Sequence, residues 1–85
     1  MRATVTGISR NPSKYGGHFF YMFFKVETPE GHENMRSCLD PKMGNFKRWE
    51  GLVKRAEEGE VFVLDNLNKK GNMVDADSHP KEIKE

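Results

Sequence analysis

Residues 14–28 read Lys-Tyr-Gly-Gly-His-Phe-Phe-Tyr-Met-Phe-Phe-Lys-Val-Glu-Thr and hold six of the nine aromatic residues of this 85-residue chain. Read as a strand, the stretch divides by parity, because side chains alternate between the two faces. Phe20, Met22, Phe24 and Val26 fall on one face, and Phe19, Tyr21, Phe23 and Lys25 on the other. A half-buried strand in a small antiparallel domain normally has one apolar face and one polar face. Here both are apolar, and a short chain has little material with which to cover both. The second face therefore meets a partner chain or is a surface to be stacked upon. The face ending in Lys25 and Glu27 is the more polar, so Phe19, Tyr21 and Phe23 are assigned outward. A parity slip would move that role to Phe20, Met22 and Phe24. A core strand or a dimer interface is the plainer alternative.

Upstream, residues 1–9 read as a first strand. Ala3 and Val5 share a face, but Ile8 breaks the parity just after Gly7, which predicts a β-bulge and a bend. Arg10 to Gly17 contains Asn-Pro, Ser and Gly-Gly, the chemistry of a loop, and carries Arg10, Lys14 and Tyr15. Downstream, Pro29-Glu30-Gly31 suits a hairpin turn into a third strand, His32 to Asp40. There Met35, Ser37 and Leu39 share one face and Asn34, Arg36 and Cys38 the other.

Between Met43 and Gly59 the period changes. Phe46, Trp49, Val53 and Ala56 recur every three or four residues, which predicts an amphipathic helix with Asn45 as N-cap and Gly59 just past its end. Gly51 costs such a helix about 1 kcal/mol relative to Ala, so it must draw on tertiary packing. Trp49 is read as core, and Lys47, Arg48, Lys54 and Arg55 as a solvated face. Glu60 to Leu67 is a fourth strand, Asn68 to Asn72 a basic hairpin loop with Lys69 and Lys70, and Met73 to Asp77 a fifth strand. The expected fold is mainly β: a five-stranded barrel with one α-helix between strands 3 and 4, spanning residues 1–78. A short polar tail, 79–85, follows.

A single domain of this size buries only roughly 60% of its unfolded surface. The net charge of +1 hides an asymmetry: ten Lys/Arg oppose five Asp/Glu in residues 1–55, and four oppose eight in residues 56–85. A basic surface is thus compatible with a nearly neutral chain. No apolar run approaches the roughly 20 residues that span a bilayer, no export signal is read at the N-terminus, and no membrane partner is expected. The single cysteine, Cys38, makes no internal disulfide, which fits a reducing cytoplasm.

Strand, strand, strand, helix, strand, strand is the element order of the oligonucleotide-binding barrel, the OB-fold. Together with the basic, glycine-containing entry Ser13-Lys-Tyr-Gly-Gly-His-Phe-Phe-Tyr and the close Asp65-Asn-Leu-Asn-Lys-Lys-Gly-Asn-Met-Val-Asp75, it gives a chain that resembles the OB-fold single-stranded DNA-binding proteins, in style the compact bacteriophage and bacterial ones. The ending Lys81-Glu-Ile-Lys-Glu85 departs from the bacterial type, which has a long disordered tail with an acidic, Phe-ending tip. The resemblance implies single-stranded DNA as ligand, little sequence preference, a role in replication or recombination, and a cytoplasmic site of action in a bacterial or phage-infected cell.

The residues agree in their chemistry. Non-specific single-strand binding needs a cationic groove and aromatic faces, each stacked base contributing about 1–3 kcal/mol. Phe19, Tyr21 and Phe23 supply the platform; Lys25 and Arg36 meet phosphates or stack; Arg10, Lys14, Tyr15, Lys69 and Lys70 make both flanking loops basic. One barrel covers only a few nucleotides, so a homodimer or cooperative coating is expected. Single-stranded RNA is a variant of the same reading, and a protein-interaction module using the aromatic face is its rival. No cofactor and no enzyme activity are expected. His18, His32, His79 and Cys38 lack the spacing of a structural metal site. Asp75 and Asp77 share a strand face as two-metal nucleases require, but without a further acidic cluster they read as a solvated strand end. Cys38 has no adjacent base to activate it.

Overall fold

The computed structural model describes residues 1–84. The aromatic stretch forms strand β2, His18–Thr28, between β1, Ala3–Pro12, and β3, Gly31–Leu39. A 3₁₀ segment, Gly44–Arg48, and helix α1, Glu50–Glu57, follow. The chain then makes β4 (Phe62–Asp65), a small hairpin of β5 (Lys69–Lys70) and β6 (Met73–Val74), and β7 (Lys81–Ile83). The architecture is mainly β, with an antiparallel five-stranded sheet ordered β3-β2-β1-β4-β7 and one α-helix between the third and fourth strands.

The apolar parity of β2 sets which way the sheet faces. Phe20, Met22, Phe24 and Val26 are all buried, joined by Ala3 and Val5 of β1, Met35 and Leu39 of β3, and Leu64 of β4. The helical segment covers this face. Phe46 stacks on Phe20 with centroids 6.0 Å apart, and Trp49, fully buried, meets Phe24 edge-on at 6.3 Å. The indole Nε1–H of Trp49 donates to the Ala76 carbonyl at 2.8 Å, so the ring is buried with its polar atom partnered. The bulge sits at Thr6: Val5 pairs with Phe24 and Gly7 with Phe23, leaving Thr6 as the extra residue. Beyond it the inward set of β1 is Ile8 and Arg10.

The structure differs from the sequence expectations in six places. β1 runs on through Arg10 and Asn11 to Pro12, because Arg10, Asn11 and Pro12 pair with Phe20, Phe19 and His18; only Ser13–Gly17 is loop. The helix is split, and Asn45 is not its N-cap: α1 begins at Glu50, while the Asn45 carboxamide donates to the Asp77 carboxylate at 2.9 Å. The fourth strand stops early at Asp65, since Asn66 takes a left-handed conformation (φ 63°) that Asn tolerates better than most residues. That break separates the 69–74 hairpin from the sheet, and the fifth strand ends at Val74 instead of Asp77. The expected ring of strands is accordingly not closed by hydrogen-bonded ladders among the described residues, although β6 packs beside β3. Finally, Lys81–Ile83, read as polar tail, pairs with Val63–Asp65 as β7.

A side-chain clasp holds β7. Arg55 of α1 donates to both carboxylate oxygens of Glu82, at 2.7 and 3.0 Å, while its guanidinium lies 4.4 Å from the centroid of the Phe62 ring. The Arg55 hydrogen bonds hold the Glu82 carboxyl below its ordinary value of about 4.5. A carboxyl depressed in the folded state adds stability that is present above its unfolded pKa and lost as pH falls through the folded one. Glu82→Gln is therefore expected to lower the melting temperature at pH 7 and to flatten the acid limb below about pH 4.5. Parallel acid limbs for the two proteins, by circular dichroism, would show that the clasp contributes nothing.

One core position has an unexpected chemistry. Ser37 is fully buried on the inward face of β3, and its Oγ has no hydrogen-bond partner among the described residues. An unpartnered buried hydroxyl costs about 1–3 kcal/mol of desolvation. Ser37→Ala is thus expected to leave stability unchanged or to raise it by up to about 1 kcal/mol in urea denaturation. A clear loss would reveal a hydrogen bond to that hydroxyl.

Candidate nucleic-acid interface

The outward face of β2 carries the aromatic cluster. Phe19 and Tyr21 are half-buried, Phe23 is 37% exposed and Lys25 is exposed. Phe19 and Tyr21 meet edge to face with centroids 5.2 Å apart. Across on β1 stand Asn11, Ser9 and Gly7, paired with Phe19, Tyr21 and Phe23. On the other flank, Cys38 pairs with Tyr21, Arg36 with Phe23 and Asn34 with Lys25. The Arg36 guanidinium reaches back to sit 4.6 Å from the Tyr21 ring centroid. The result is a layered surface on which a planar cation already rests on one ring while Phe23 stays open. A base can continue that stack over the guanidinium or lie against Phe23, because both present flat, weakly hydrated faces.

At the Phe19 end, Ser13–Gly17 makes a tight turn. Gly16 N–H donates to the Ser13 carbonyl and Ser13 N–H to the Gly17 carbonyl, with Gly16 and Gly17 at φ 91° and 72°. Those positive values are open to glycine and strained for other residues. Tyr15 stands out from the turn, 83% exposed, beside exposed Lys14. The turn is fastened from outside by Lys42, whose ammonium donates to the Tyr15 and Gly16 carbonyls at 2.9 and 2.8 Å. Sequence reasoning missed Lys42. Its role depends on two carbonyls that are distant in sequence, and no local pattern announces such a contact.

The remaining predicted residues are less well gathered. Lys69 lies 3.9 Å from the Glu33 carboxylate, an exposed pair that offsets its charge only weakly. Lys70 lines a concavity of about 580 Å³ together with Met43, Met73, Asp40, Asp75 and Asp77. Three carboxylates against one ammonium give that hollow the wrong sign for a phosphate backbone. Arg10 leaves the site altogether. Its side chain lies on the helix side of the sheet, 5.4 Å from the Phe20 centroid, bonded to Glu57 at 3.1 Å. The physical reason is the Thr6 bulge, which turns every later residue of β1 over.

Among the described residues, no group of three or more His, Cys, Asp or Glu is placed to hold a metal ion. Asp75 and Asp77 are tied to each other, the Asp75 carboxylate accepting from the Asp77 N–H at 2.9 Å. Burial, and then the neighbouring Asp40 carboxylate, push the Cys38 thiol up, away from the thiolate a nucleophile requires. No described helix is long and apolar enough to cross a membrane. Comparison of the chain with protein-family models, with curated proteins and with solved structures returns no match.

Proposed function

We propose that this chain binds single-stranded DNA with little sequence preference, as a compact OB-type domain acting in replication or recombination. The observation that carries the reading is the outward row of Phe19, Tyr21 and Phe23 with Arg36 laid over Tyr21. Three aromatic rings on the face of β2 turned away from the core offer bases a place to stack. Lys14 and Lys25 flank the row and supply the phosphate contacts that such a platform needs, and Arg36 adds a cation stacked within it. The pairing of β4 with β1, and the position of the β5–β6 hairpin beside β3, support an OB-type course of the chain around the core. Lys69 and Lys70 belong to the hairpin flank and contribute long-range attraction more than direct contact.

Fluorescence anisotropy of labelled oligo-dT, titrated with the protein at low and high salt, tests this. Binding at micromolar protein or tighter, weakening as salt rises, is the expected result. Absence of binding at low salt ends the reading. Parallel titration with oligo-U separates DNA from RNA, and sedimentation with and without oligo-dT reports whether copies assemble on the strand. A stable dimer in the absence of DNA that is lost in Tyr21→Ala would turn the same face into a protein interface.

A further inference from the structure

Beside the aromatic row lies a smaller notch, of about 240 Å³, lined by Phe23, Asn34, Met35, Arg36 and Asn72. It joins two separate parts of the chain. Asn34 and Arg36 project from β3, and Asn72 comes from the turn of the β5–β6 hairpin, next to Gly71 at φ 61°. Neither the Asn34 nor the Asn72 carboxamide has a hydrogen-bond partner among the described residues. Phosphates only accept hydrogen bonds, so half of each carboxamide would be idle against a backbone. A base edge uses donor and acceptor together. The notch also has a flat wall, Phe23, against which a ring can lie.

We propose that this notch holds one pyrimidine base and selects thymine or uracil over cytosine. The proposal rests on the single-strand reading above and adds a base preference at one position. The Watson–Crick edge of thymine and uracil runs acceptor, donor, acceptor: O4, N3–H, O2. The lining offers the complement. Arg36 is a donor only, one carboxamide presents its carbonyl to N3–H, and the other presents its NH₂ to O2. Cytosine puts an amino group where O4 was and an unprotonated N3 where N3–H was. Its N4 hydrogens then face the Arg36 donors, a clash that turning a carboxamide over to meet N3 does not relieve. Sequence-tolerant stacking along the rest of the row and this one selective position coexist on the same strand of DNA.

The test is competition among oligo-dT, oligo-dU and oligo-dC of equal length at one salt concentration, with the full chain. Oligo-dT and oligo-dU are expected to bind at least about fivefold tighter than oligo-dC, and Asn34→Ala and Asn72→Ala to shrink that ratio toward one while moving oligo-dC by less than about twofold. Both side chains are exposed, so the variants are expected to fold, which circular dichroism checks. Lys14→Ala should weaken all three in the same proportion, as a phosphate contact does. Three equal affinities, or a preference that survives both Asn variants, would overturn the notch and leave single-strand binding standing. A preference for oligo-dT that oligo-dU does not share would assign it to the thymine methyl and also overturn it. If none of the three binds, both readings fall together.

Discussion

Trp49→Ala is expected to cost about 3–5 kcal/mol, the usual range for emptying a buried indole site. Small domains keep only about 5–15 kcal/mol in all, so much of this chain should unfold at modest urea concentrations. The size of the effect follows from where Trp49 stands. It occupies the junction between the 3₁₀ segment and α1, meets Phe24 at the centre of β2, and ties the 75–78 segment back through its bond to the Ala76 carbonyl. Truncation removes core volume, a cross-element contact and a hydrogen-bond donor at once. Trp49→Phe separates these, keeping a ring against Phe24 while losing the Nε1–H. It should cost less than Trp49→Ala but more than about 1 kcal/mol, because the Ala76 carbonyl loses its buried partner. Urea denaturation followed by circular dichroism gives both values. Near-wild-type stability of Trp49→Ala would mean that the helical segment is dispensable to the core.

The second large effect is on binding. Tyr21→Ala is expected to reduce affinity for oligo-dT by about tenfold or more, since one stacked base contributes about 1–3 kcal/mol. The loss should leave the salt slope unchanged, because tyrosine neutralises no phosphate. Lys25→Ala should do the reverse, with a smaller loss at low salt and a shallower slope. Tyr21 also seats Arg36, 4.6 Å from its ring centroid, so its removal takes away the face on which that guanidinium rests as well as one stacking ring. Anisotropy titrations at three salt concentrations distinguish the two variants. An unchanged affinity in Tyr21→Ala would remove the stacking platform from the mechanism.

How far the sequence could be read depended on whether a feature was local. The parity of β2 was legible because four alternating apolar residues run into Val26 on one face and three aromatics run into Lys25 on the other; the structure buries the first set and exposes the second to varying degrees. The bulge after Val5 was legible from Gly7 and the misplaced Ile8. Trp49 announced itself through helical spacing. What escaped was set by tertiary partners. Asn45 has the composition of an N-cap, yet Asp77 claims its side chain. Lys81-Glu-Ile reads as tail until Arg55 and the open edge of β4 are seen beside it. Asn34 and Asn72 carry no motif, and only the fold of the hairpin against β3 brings them to one notch.

The one-residue bulge at Thr6 has a consequence for how this surface is addressed. Val5 and Ile8 both point to the core only because an extra residue stands between them. The faces of β1 are thus assigned by counting along the chain as well as by chemistry. In a strand without the bulge, Ala3, Val5, Gly7, Ser9 and Asn11 would share the inner side, and Ile8 and Arg10 would turn outward beside Tyr21. A positive charge would then join the aromatic row and an isoleucine would leave the core. The insertion spends one residue to keep Arg10 with Glu57 and Ile8 against the buried cluster. Length, as much as composition, decides which of this protein's cations stand on its outer face.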